Sequence, residues 1–144
     1  MSFETTIGKW KRGLSSFDQI FRKAVIEHQE KILDLNTAQL EIGKDSLGEL
    51  LFSYASDSYA EFKKALGSKS PLGIPDLKLE GDFYSGFVLK FDGSEFFITS
   101  TDEKKDHLRD KYGEDIFGLG EDSLDFIRPF LLESYLTILR QKVA

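Results

Sequence analysis

The 144-residue chain has no cysteine, and histidine, methionine and proline are scarce at two, one and three copies. Without cysteine there are no disulfides, no thiol catalysis and no thiolate metal site. Two histidines, His28 and His107, are too few for most metal sites or catalytic triads. The sequence carries no G-x-x-x-x-G-K-S/T phosphate loop, no G-x-G-x-x-G, no G-x-S-x-G elbow and no H-E-x-x-H. No apolar run approaches the roughly 18–20 residues of a membrane span, and the N-terminus lacks a signal-peptide core. Positive charge is also in deficit: 19 Lys and Arg stand against 25 Asp and Glu, for a net charge of −6. That balance argues against nucleic-acid binding as the main role. None of the acids is singled out as a catalytic pair, because they lie beside lysines on faces that read as exposed. The expectation is a non-enzymatic protein with no cofactor, no metal and no membrane contact, assembled in the cytoplasm.

Apolar residues make up 40% of the chain and charged residues 31%, ordinary values for a globular domain, but phenylalanine is abundant at 13 copies. The length suits a single domain over 1–144 with an aromatic core, residues 1–15 being a candidate N-terminal arm. The expected fold class is α+β. A long N-terminal helix and a C-terminal helix pack on a small antiparallel sheet built around the 82–100 β-hairpin.

That hairpin organises the reading. Asp92-Gly93 lies between two aromatic-rich runs, and Asp-Gly suits a tight turn needing φ > 0. Counting outward pairs Phe91 with Ser94, Lys90 with Glu95, Leu89 with Phe96, Val88 with Phe97 and Phe87 with Ile98. One face then holds Phe87, Leu89, Phe96 and Ile98 as the core side; the other holds Val88, Phe97 and the Lys90/Glu95 pair. Asp82 to Phe91 is long for a strand, so Gly86 marks a bulge or a close backbone approach. Two strands alone are marginal in water, so helices must cover them.

Along the chain, Lys9-Trp10-Lys11-Arg12 is a basic cluster with an aromatic centre. It reads either as an arm folded back on the domain or as one docked on a neighbouring subunit. Ser16 and Gln19 form a capping box before a helix with Phe17, Ile20, Phe21, Ala24, Val25, Ile32 and Leu35 on one stripe. It runs to about Leu40, stops before Gly43, and carries His28 as a packed or boundary residue. A short amphipathic helix with Tyr59, Phe62 and Leu66 inward opens at a Ser58/Glu61 box and closes at Gly67. Ser68 to Pro75 is a loop. The next helix opens at a Ser100/Glu103 box, pairs Asp106 with Arg109, turns Leu108 and Tyr112 inward and ends at Gly113. Asp102, Asp106 and Asp110 share a face, but interleaved lysines make it a solvated one. The acidic stretch 114–125 lacks calcium-loop spacing; Ile116, Phe117 and Leu119 pin it to the core or to a partner. Pro129 fits the first turn of a final helix, with Leu131, Leu132, Tyr135, Leu136 and Leu139 as its apolar stripe. Arg128 anchors that helix start to the 114–125 loop.

Two segments resemble parts of the small neck and tail-completion proteins that join head to tail in tailed phages. One is Pro75-Asp76-Leu77 followed by Leu79-Glu80-Gly81-Asp82-Phe83-Tyr84-Ser85, a turn-and-aromatic strand start after a proline-bearing loop. The other is Arg128-Pro129-Phe130-Leu131, leading into the last helix. The runs 53–64 and 111–119 resemble related proteins of crAss-like gut phages. The resemblance implies a virion structural protein, part of a head-to-tail connector ring through which DNA passes without sequence-specific binding. Its partners would be copies of itself, portal or adaptor proteins and tail proteins. An acidic channel wall would let DNA slide. The subunit-interface candidates are Lys9, Trp10, Lys11, Arg12, Phe117 and Arg128. Alternatives are a tail terminator, a minor capsid protein or a bacterial binding module.

Overall fold

A computed structural model of the chain describes residues 17–51, 57–77, 82–93 and 95–143. Its elements are helix α1 over 17–27, α2 (Gln29–Glu41), α3 (Asp57–Ala65), a one-turn α4 (Asp82–Ser85), strands β1 (Phe87–Asp92) and β2 (Glu95–Ser100), α5 (Lys105–Tyr112), a 3-10 turn (Glu114–Ile116) and α6 (Glu121–Val143). The protein is α+β: among the described residues, helices accompany a two-stranded antiparallel sheet.

The stripe read from Ile20 to Leu40 forms the spine, but it is two helices rather than one. At His28 the backbone tightens, with its N–H bonded to the Val25 carbonyl three residues back. Ile20 and Ala24 of α1 pack with Ile138 of α6 in a small cluster. Val25, Ile32 and Leu40 enter the main core with Leu51, Phe83, Phe87, Ile98, Ile116 and Ile127. Aromatic contacts knit this core together: Phe87 meets Phe83 edge-on at 5.0 Å and Phe117 at 6.0 Å.

Two helices end in the same way. Gly43 has φ 78° and Gly67 φ 88°. In each case the glycine N–H bonds back three residues and the next N–H five residues, to Leu40 and Gln39 after α2 and to Lys64 and Lys63 after α3. This is the Schellman arrangement, in which a left-handed residue lets the chain satisfy the last helical carbonyls.

The hairpin keeps its expected faces but not its expected register. Asp92 pairs with Glu95, Phe91 with Phe96, Lys90 with Phe97, Leu89 with Ile98 and Phe87 with Ser100. The two-residue loop is therefore Gly93-Ser94, not Asp92-Gly93, and Gly93 has φ 61°. A Gly-X dipeptide meets the positive-φ demand of a hairpin turn as Asp-Gly does. The shift moves every pairing by an even count, so Phe87, Leu89, Phe96 and Ile98 still share the core side, while Lys90 faces Phe97 rather than Glu95. The long first strand is also corrected: Asp82–Ser85 is helical, and β1 starts only at Phe87. Gly86 is a close approach, since a Cβ there would lie 2.8 Å from Ser100 Oγ and 3.0 Å from the Asp102 nitrogen.

Three helix readings change. In α3 the buried residues are Ala60 and Lys63, whereas Phe62, and Leu66 just after the helix, are exposed. Helix α5 starts at Lys105, not near Ser100; Asp102 Oδ1 accepts the Lys104 N–H ahead of it, and Ser100 Oγ accepts the Asp102 N–H. Helix α6 begins at Glu121, eight residues before Pro129, which lies inside it. Its buried residues are Ile127 and Ile138; Leu131, Tyr135 and Leu139 of the expected stripe pack partly buried against the same clusters, and Leu132 is exposed. A proline removes one helical hydrogen bond, but a 23-residue helix with two buried anchors absorbs that loss. The Ser16/Gln19 box lies outside the described residues.

Candidate functional site

Three features stand apart from ordinary packing: an amide clamp, a buried ion pair and an apolar cleft. The clamp begins on α2. Asn36 follows Ile32 and precedes Leu40 at four-residue intervals, so it occupies the helix's buried stripe and is fully buried itself. Its Nδ2 donates to the Ile116 carbonyl at 3.0 Å, and its Oδ1 accepts the Gly118 N–H at 2.9 Å. One turn on, Gln39 Nε2 donates to the Gly118 carbonyl at 2.9 Å and Oε1 accepts the Gly120 N–H at 2.6 Å. Donor and acceptor partners fix both amide orientations. Two side chains on one helix face thus hold the 116–120 backbone through four bonds. The 114–125 stretch is indeed pinned to the core, with Ile116 buried and Phe117 and Leu119 packed against it.

The ion pair joins α3 to the loop before α4. Lys63 Nζ lies 2.7 Å from Asp76 Oδ1, with side chains 7% and 3% exposed. Asp76 Oδ2 also accepts the Ser68 hydroxyl at 2.8 Å, and its backbone carbonyl accepts the Tyr84 hydroxyl. Leu77, next in the chain, has φ 57°. Lys64 Nζ caps the Ser70 carbonyl at 3.0 Å. A polar pocket of about 220 Å³ opens here between Glu41, Lys63, Ser68, Lys69 and Asp76. The buried charges of Lys63 and Asp76 compensate each other, so this is a structural latch beside a small recess.

The cleft, about 390 Å³, lies between α1, strand β2 and the clamped loop. Its apolar lining comes from Phe21, Phe96, Phe97, Ile98, Leu119 and Leu124, with Glu95 beside them. Phe97 remains 47% exposed. Arg22 ties α1 to the hairpin, donating to the Gly93 carbonyl at 3.0 Å and lying over the Phe91 ring.

Among the residues singled out from sequence, Phe117 packs against Phe83 and Phe87 and is used largely by the core. Arg128 bonds Asp125 at 2.6 Å within α6, an exposed i,i+3 pair rather than an anchor between elements. Exposed pairs of this kind contribute about 0.2–1 kcal/mol. Lys9, Trp10, Lys11 and Arg12 lie outside the described residues. His28 is a boundary residue: its ring bonds Ser134 at 2.7 Å and sits 5.9 Å from Phe130. Among the described residues no group of three or more His, Asp or Glu side chains could hold a metal ion, and no helix is long and apolar enough to cross a membrane. The clamp residues Asn36 and Gln39 were not foreseen, although an Asn at stripe spacing between Ile32 and Leu40 signals a buried amide with a partner.

Compared with known proteins, the chain matches no family model, no curated protein and no solved structure.

Proposed function

We propose that the chain is a structural protein of a tailed-phage virion, one subunit of the ring that joins head to tail around the DNA passage. The observation that carries this reading is the resemblance of 75–85 and 128–131 to neck and tail-completion proteins. The surface supports a role in assembly. Large apolar side chains are exposed on several elements, among them Phe97 on β2 and Phe62 on α3, with Leu66 just beyond that helix. A ring built head to tail needs two different complementary surfaces on each subunit. The partners are further copies of the chain and the portal and tail proteins on either side, in particles assembled in the host cytoplasm.

The test is genetic. Removing the gene should leave DNA-filled heads and free tails that fail to join, visible by electron microscopy, and adding the purified protein should restore joining. Joined, infectious particles at the normal yield without the chain would end this reading.

A further inference from the structure

We infer that the apolar cleft between α1, β2 and the clamped loop receives the Lys9-Trp10-Lys11-Arg12 segment of a second copy of this chain. The inference rests on the ring reading above and names its contact. The cleft has an apolar floor, with Phe96, Phe97 and Leu119 among its residues, and a volume of about 390 Å³. Pockets of roughly 300–1,000 Å³ accept ligand-sized groups, and one indole ring with its flanking stems is of that order. The one charged residue that lines the cleft is an acid. Glu95 lines it and no Lys or Arg does so among the described residues; Arg22, next to the lining residue Phe21, is engaged with the Gly93 carbonyl. The segment carries the complement. Trp10 is the single tryptophan of the chain, flanked by three cations.

Burying an aromatic ring supplies the affinity, while the opposed charges set register and exclude wrong partners. A second copy is the occupant because a closed ring requires each subunit to present one surface and accept a different one. The segment and the cleft are such a pair. The cleft is also preformed: its loop wall is held by Asn36 and Gln39, so little ordering accompanies docking.

The single tryptophan gives a direct readout on the unmodified chain. Its fluorescence should move to shorter wavelength as chain concentration rises and return on dilution. Glu95→Lys, a change at an exposed position, should abolish the concentration dependence with unchanged circular dichroism. As a second measurement, Lys11→Cys chains mixed with Glu95→Cys chains should form disulfide-linked heterodimers faster than with Asp57→Cys chains, by about tenfold if the contact raises effective concentration as expected.

Three results overturn the inference. One is emission that does not change with concentration. Another is equal cross-linking to Glu95→Cys and Asp57→Cys. The third is an internal disulfide in the Lys11→Cys/Glu95→Cys double variant with none between mixed chains, which would mean that the segment covers its own cleft. The outcomes separate from those of the genetic test. Heterodimers from a chain that phage assembly does not need would keep the contact and remove the connector role. A chain required for joining that shows no such contact would do the reverse.

Discussion

Replacing Asn36 by leucine removes two hydrogen bonds while nearly conserving volume. The Ile116 carbonyl, in a residue with no exposed surface, loses its donor, and the Gly118 N–H loses its acceptor. An unsatisfied buried carbonyl costs about 1–3 kcal/mol, and the lost bond to the part-buried Gly118, which recovers some water, costs about 1 kcal/mol. The expected destabilisation is therefore about 2–4 kcal/mol. At about 4 °C per kcal/mol for a chain of this size, Tm should fall by about 8–15 °C. Thermal unfolding followed by circular dichroism measures it. Amide exchange at Gly118 and Gly120 should accelerate more than exchange in α2, because the loop loosens before the helix does. The effect should be non-additive with Gln39→Leu, since both side chains hold one segment. A fall in Tm below about 3 °C would show that the loop is held by packing alone and that the amide clamp contributes little.

Two further substitutions test the latch and the turn. Lys63→Met leaves Asp76 buried without its cation and should cost about 3–5 kcal/mol, read from the urea midpoint at constant slope; a loss under about 1 kcal/mol would mean that water screens the pair. Gly93→Val forces a β-branched residue to a φ of 61° and should cost about 1–3 kcal/mol, so an unchanged melting midpoint would displace the turn from Gly93-Ser94.

What the sequence showed follows from which forces were local. The hairpin faces were legible because strand alternation has period two, and an error of two residues in register cannot invert them. The register itself was not, since Asp92-Gly93 and Gly93-Ser94 overlap and both satisfy the backbone demand of a tight turn. The glycine stops at Gly43, Gly67 and Gly113 were legible, because positive φ is a property of the residue. The inward face of α3 was misread because burial there is decided by a distant partner. Lysine is almost never fully buried unless paired, and nothing near Lys63 in sequence announces Asp76. Pro129 misled for a related reason. Local preference places proline in a first turn, but the helix continues through Pro129, with Ile127 and Ile138 buried on either side of it.

The cleft depends on the same non-local polar contacts. An exposed apolar surface on a mobile loop would have to be ordered at each binding event, at a cost of about 0.5–1.5 kcal/mol for every rotamer-rich side chain immobilised. Here Leu119 projects from a backbone bonded on both sides by Gln39, through Gly118 and Gly120. The opposite wall, Phe21, belongs to a helix tied to the hairpin turn through Arg22 and Gly93. Hydrogen bonds fix direction where apolar packing alone does not. The ordering is therefore completed during folding, and an incoming aromatic side chain meets walls already in place. On that argument Asn36→Leu, even where it leaves the chain folded, should weaken any contact made at the cleft, although Asn36 acts there only through the backbone of Gly118.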